Sequence, residues 1–221
     1  MNNIYLNLDD GVYDEVFVRD QYQFFQKVES GDLVVDLGCS KGYFYFKNKD
    51  KNIKYIGVDS SIDCINDFYL NLNNEKDVLV KNVFVINAFL DGRYNICDFK
   101  SIFHDAEAKK VSSITFNDLI SFVGRRIDFL KFDIEGYEKL FLEENYDLFK
   151  SRVRKFSGEI HFIAEAFPRQ KVYKMLEKLK NDLDLEFKLY SVDGYDITNS
   201  FWNNIGYYTE IIINGYNQRL F

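Results

Sequence analysis

One proline, three cysteines, two histidines and one tryptophan stand in 221 residues, and each shortage narrows what the chain can be. No proline-rich linker, repeat or low-complexity tract breaks the order of elements, so residues 1–221 read as a single domain, long enough to bury a substantial core. Cys39, Cys64 and Cys97 show no CxxC or other metal-binding spacing. An odd, sparse set of this kind suits free thiols in a reducing compartment. No apolar stretch approaches the ~20 residues needed to cross a bilayer. The start, Met1 to Asn7, lacks a basic region followed by a long apolar run, so no signal peptide and a cytoplasmic location are expected. An excess of basic residues is also missing. The net charge of −7 disfavours a nucleic-acid partner, although a local basic groove remains compatible with it.

Apolar residues make up 47% and charged residues 29%, the balance of a globular chain. The 22 phenylalanines and 16 tyrosines are read as codon composition rather than as an aromatic-lined site. Residues 1–30 form a leading helical segment, with an entry helix predicted within 12–30 from Val18, Tyr22, Phe25 and Val28 at near-helical spacing, and residues 31–221 form the core. Strands are predicted at 33–37, 54–59, 83–87, 127–133, 156–162, 185–192 and 207–213. Helices are predicted at 41–48, after Ser60 or Ser61, at 115–123, at 136–149 and after Pro168. Residues 88–114 are less regular, fitting short strands or a lid, and His104 and Asp105 there read as surface. Alternation predicts a doubly wound α/β sheet with helices on both faces. The last two strands, joined only by a loop, must pair as an antiparallel hairpin. That combination gives a Rossmann-like, seven-stranded, mostly parallel sheet of the class I methyltransferase layout.

The run Leu33 to Gly42 ends a buried strand on Asp36 and breaks into a Gly/Ser turn before a helix. This is the nucleotide corner of an open α/β sheet. The dinucleotide fingerprint needs glycine at the first, third and sixth places, which here hold Gly38, Ser40 and Tyr43. Two of the three fail, and Tyr43 would crowd a pyrophosphate. S-adenosylmethionine, which has no phosphate, fits better. Asp36 is placed to accept from its ammonium, and the N–H groups of Leu37, Gly38, Cys39, Ser40, Gly42 and Tyr43 to meet its carboxylate. Asp59, 23 residues beyond Asp36, and Ser60 face the ribose, and Asn87-Ala88 the adenine. Tyr43 and Phe44 read as packing against the first strand, with cation–π contact to a sulfonium as the alternative.

The second signal is Phe129-Leu130-Lys131-Phe132-Asp133-Ile134-Glu135-Gly136-Tyr137-Glu138 at the end of the fourth strand. With Val34 to Gly42 and Ile114-Thr115-Phe116-Asn117-Asp118-Leu119, it resembles the FkbM-type methyltransferases, a family of S-adenosylmethionine-dependent O-methyltransferases. The family shows a K-x-D-[IV]-E-G-x-E run after a T-[LIF]-[DN]-D segment. The resemblance covers roughly residues 30–165. Two departures stand out: Cys39-Ser40-Lys41 replaces the usual Ala-Asn and a small residue, and Asp59-Ser60-Ser61 replaces Glu-Pro.

The resemblance implies methylation of a hydroxyl on a glycan, sugar or other small metabolite. Asp133, Glu135 and His161 are the candidate catalytic residues, each able to take the hydroxyl proton, and Asp133 also borders the cofactor. Glu138 reads as an acid at a helix start and Lys131 as a strand residue facing away. Asp133, Glu135, Glu159 and His161 can together hold a divalent metal, but their spacing demands none, and no metal ligand is assigned. The other readings are a nucleic-acid 2′-O-methyltransferase and a non-catalytic cofactor-binding interaction module. Acceptor identity and oligomeric state are not legible in the chain.

Overall fold

Five consecutive buried residues, Leu33–Leu37, form β1, and the sheet grows from it in both directions. The computed structural model describes residues 11–74, 82–90, 96–99, 109–162, 169–204 and 208–221, with the backbone path alone at 96–99 and 109–110. A single helical turn, α1 (Gly11–Tyr13), precedes β1. Then follow α2 (Tyr43–Asn48), β2 (Lys54–Asp59), α3 (Ile62–Asn74), β3 (Val83–Asn87), β4 (Phe89–Leu90), β5 (Ile96–Phe99), β6 (Lys109–Ile114) and α4 (Phe116–Val123). The second half runs β7 (Ile127–Phe132), α5 (Glu138–Glu144), α6 (Tyr146–Arg152), β8 (Val153–His161), α7 (Arg169–Lys180), β9 (Leu185–Tyr190), α8 (Phe201–Asn204) and β10 (Glu210–Asn217).

Seven strands share one sheet in the order β3-β2-β1-β7-β8-β10-β9, with β10 alone running opposite to the other six. The terminal hairpin is present, but β10 inserts between β8 and β9, so the reversed strand is not at the edge. The order turns around at β1 and β7, which opens a crevice at the carboxyl ends of these two strands. Side chains alternate across the sheet. Val35, Leu37, Leu130 and Phe132 enter one apolar core, while Val34 and Phe129 join Tyr43, Phe44 and Phe68 in another.

Local chemistry sets the boundaries. Thr115 caps α4 in a reciprocal box: its hydroxyl accepts from the Asp118 N–H at 2.9 Å, and Asp118 accepts from the Thr115 N–H at 3.1 Å. The T-F-N-D segment is thus a helix start. The helix expected over 136–149 divides at Asn145, whose side-chain amide donates to the Phe141 carbonyl at 3.0 Å. Part of the irregular stretch forms a small sheet, β4-β6-β5. His104, Asp105, Pro168 and Tyr207 lie outside the described residues.

The leading segment departs from expectation. In place of one helix it makes α1, a π-helical turn at Asp14–Val18 and a 3₁₀ turn at Gln21–Gln23, with Asp20 left-handed at φ 51° between them. Gln21, Tyr22 and Gln23 are all buried, which one face of a regular helix cannot do for three successive residues, and Val18 is exposed. Tertiary contacts override the apolar spacing. Asn214 on β10 donates to the Tyr22 carbonyl at 2.9 Å and accepts from the Gln26 N–H at 2.6 Å, pinning the segment across the sheet.

Candidate active site

The glycine turn is folded against the sheet. Gly38 and Cys39 donate their N–H groups to the Val58 carbonyl, Ser40 donates to the Asp59 carboxylate at 2.8 Å, and Gly42 donates to the Cys39 carbonyl. The N–H groups expected to meet a carboxylate are therefore already spent at these four positions. Gly38 has φ +78°, and a Cβ there would lie 1.7 Å from the Asp133 carbonyl oxygen. Only glycine allows the corner to touch the end of β7. Leu37 completes that contact by accepting from the Asp133 N–H at 2.9 Å.

Asp36 does not reach the crevice. It is fully buried, with the Tyr55 hydroxyl donating at 2.5 Å and the Lys131 ammonium paired with it at 3.0 Å. This corrects two expectations, since Lys131 faces Asp36 rather than away. Parallel pairing sets Asp36 beside Lys131 on one face, and a buried carboxylate needs a counter-charge. Burial raises the Asp36 pKa. Burial pulls Lys131 down, but the charges of Asp36 and Asp133 outweigh it and hold the ammonium above its ordinary range. Lys131 also donates to the Gly38 carbonyl at 3.0 Å, joining strand, turn and cleft.

Asp59, Ser60, Asn87 and Ala88 come together at the ends of β2 and β3. Asp59 accepts from the Ser40 and Ser61 N–H groups, both at 2.8 Å, and burial raises its pKa. Asn87 donates to the Asp59 and Ser60 carbonyls, and the Ala88 N–H to the Asp59 carbonyl. The Tyr43 and Phe44 rings pack in the core, Tyr43 edge-on to Tyr13 and Phe44 edge-on to Tyr22. Cys39 is buried beside them, and burial lifts its thiol pKa.

The turn after β7 is held by one side chain. Glu138, 1% exposed, accepts from the Ile134 and Gly136 N–H groups, each at 3.0 Å, and its Oε1 lies 3.0 Å from His161 Nδ1. Glu135, between those two N–H groups, is left-handed at φ +54°, a strained position for a residue with a side chain. Glu138 is more than an acid beside a helix dipole. It clamps the strained turn and orients the histidine.

Sequence spacing gave no sign of the part played by the leading segment. The Tyr22 hydroxyl donates to Asp133 at 2.8 Å and lies 3.3 Å from Glu159, and the Gln21 amide donates to Glu159 at 3.3 Å. His161 Nε2 stands 4.0 Å from both Glu135 and Glu159. So Asp133, Glu135 and His161 do share one cleft, joined by Tyr22, Gln21, Glu138 and Glu159. Burial and then the Asp133 charge push Glu135 and Glu15 to about 7 and Glu159 to about 8. Burial lowers His161, but the hydrogen bond and charge of Glu138, with Asp133 and Glu159, carry it to about 10. In Glu138→Gln the His161 pKa, followed by NMR, should fall from about 10 toward its ordinary 6.5. An unmoved value would exclude the orienting role.

A sheet in this order with its reversed strand is the class I methyltransferase fold. The chain belongs to the FkbM methyltransferase family: the model for the methyltransferase FkbM domain matches residues 19–189. S-adenosylmethionine is the methyl donor that this fold in general binds. Methyltransferase FkbM from Methylobacillus flagellatus KT aligns with a TM-score of 0.59 at 13% identity, over 92% of this chain and 48% of that one. The present chain thus spans about half the length of that protein. An rRNA methylase from Streptococcus thermophilus aligns at 0.53 and 11% identity, over 93% of both chains. The fibrillarin/Nop5p complex aligns at 0.51 and 14%, over 86% of this chain and 75% of that one. Likeness at such identities speaks to the fold alone. No curated protein sequence matches significantly. Among the described residues, no helix is long and apolar enough to cross a membrane.

Proposed function

We propose that this methyltransferase acts on a hydroxyl of a sugar, glycan or other small hydroxylated metabolite, with Glu135 as the proton acceptor. The observation that carries this reading is the contact between the glycine turn and the acidic turn, which sets a carboxyl of pKa about 7 beside the cofactor corner. The corner suits S-adenosylmethionine. Its N–H groups at Gly38, Cys39, Ser40 and Gly42 are engaged, so it offers no phosphate nest, while carboxylates line the cleft where a cationic ligand is favoured. Asp59, Ser60, Asn87 and Ala88 would hold the adenosine, and Gly38 and Ser40 would border the methionine end. When bound, S-adenosylmethionine supplies an electrophilic methyl group.

A hydroxyl becomes an adequate nucleophile only as its proton leaves. The Glu135 side chain, 60% exposed at the cleft mouth, can reach an acceptor, and the nearby Asp133 charge raises its pKa. His161, cationic at neutral pH and held by Glu138, steadies the Glu135 carboxylate by its charge. An RNA acceptor is less well served. Lys131, the lysine that such chemistry would use, is buried against Asp36, and the cleft is acidic.

Calorimetry should show one S-adenosylhomocysteine bound per chain and no NAD. Asp59→Ala should weaken that binding about tenfold, the loss of one charged hydrogen bond. Labelled methyl groups should pass to sugar or glycan acceptors at a rate nearly independent of salt. NAD binding, or incorporation only into RNA with steep salt dependence, would overturn the proposal.

A further inference from the structure

Asp133, Glu159 and His161 each offer one ligand atom, and these atoms lie within 4.8 Å of one another at the ends of the adjacent strands β7 and β8. We infer that they form a site for one divalent cation, with two carboxylate oxygens and one imidazole nitrogen as donors. The inference deepens the hydroxyl-methylation reading and rests on it for the cation's use: an ion here would bind the acceptor oxygen and ease loss of its proton.

Three further observations point to the same place. The first is the support behind the histidine. Glu138 lies 3.0 Å from Nδ1 and Nε2 lies 4.0 Å from Glu159, so an ion that displaces the ring proton would take Nε2 as its donor nitrogen. A metal-bound histidine is typically held in this way by a carboxylate on its other nitrogen. The second is Gln21, 1% exposed, whose amide lies 3.3 Å from Glu159 while its Oε1 has no hydrogen-bond partner. A half-turn of that amide would present the orphaned oxygen to a cation at Glu159.

The third is that one donor serves both acids. The Tyr22 hydroxyl has one hydrogen for two carboxylates, Asp133 at 2.8 Å and Glu159 at 3.3 Å. Lys131 is 4.0 Å from Asp133 but bonds Asp36 and the Gly38 carbonyl, both at 3.0 Å. Mixed nitrogen and carboxylate donors suit a first-row ion such as Mn²⁺, which tolerates both donor types and keeps positions open for water or an acceptor oxygen.

The test is titration of the apo protein with Mn²⁺, followed by the electron paramagnetic resonance signal of the free ion. Wild type should remove one equivalent. Glu159→Gln and His161→Ala should each weaken binding at least about tenfold, whereas Glu143→Gln on the exposed face of α5 should not change it. Mn²⁺ should also broaden the ring resonances of His161, a readout that needs no variant. An undiminished free-ion signal, equal affinity in Glu159→Gln and His161→Ala, or an unbroadened His161 would overturn the site. Because neither cofactor nor acceptor is present, this failure would leave the methylation reading standing. Tight Mn²⁺ binding without any methyl transfer would instead count against that reading alone.

Discussion

Replacing Lys131 by methionine should lower the stability of the folded chain by about 3–5 kcal/mol, the usual effect of stranding one member of a buried ion pair. Urea denaturation at pH 7 would measure it. The reason is Asp36, fully buried, with only the Tyr55 hydroxyl left as a donor once the ammonium is gone. Asp36→Asn in the Lys131→Met background should recover most of the loss, because asparagine still accepts from Tyr55 and carries no charge to desolvate.

The pH dependence follows from the directions of the shifts. The folded pKa of Lys131 lies above its ordinary 10.5, so its contribution is complete at neutral pH and is lost only as pH rises through that folded value. Asp36 is already raised by burial, and without the opposing ammonium it rises further. A group raised on folding favours the folded state at low pH. The gap between wild type and Lys131→Met should therefore narrow as the pH falls from 7. A gap that stays constant, with a double variant no better than the single one, would show that Lys131 acts through packing alone.

Glu135→Gln should reduce kcat by about 10²–10⁴, the range for loss of a general base, with S-adenosylhomocysteine affinity unchanged. In the wild type, kcat/KM should climb with pH through about 7 as Glu135 loses its proton, and fall near 10 as His161 loses its charge. Glu159, at about 8, interacts with the same groups, so the rising limb belongs to the set rather than to one carboxyl. The variant should lose that limb. A variant that keeps full activity and the same profile would move the base elsewhere, with Asp133 the next candidate.

Much of this could be read along the chain. Mostly apolar runs at Leu33–Leu37 and Ile127–Phe132 mark strands covered on both faces, and alternation with amphipathic helices leaves few ways to wind the sheet. Gly38, Asp59, Asp133, Glu135 and His161 are legible because strand-end positions in such a sheet line one crevice. Less legible was anything that depends on a partner distant in sequence. Lys131 looked outward because periodicity cannot say which neighbouring strand carries an acid. Glu138 looked like a helix-dipole residue because its fold-back onto two N–H groups arises only once the turn is made.

The sequence by itself determined the strand order's building blocks, the glycine corner without a pyrophosphate pattern and the acidic turn of the FkbM family. These are local matters of period, backbone freedom and residue type. Only the tertiary structure decided that Asp36 and Lys131 neutralise each other inside the fold, and that the leading segment abandons a helix to lay Gln21 and Tyr22 on the acids of β7 and β8. The physical reason is common to both. A buried charge or hydrogen-bonding group must find its partner across the fold, and that requirement outweighs the modest local preferences that a sequence displays.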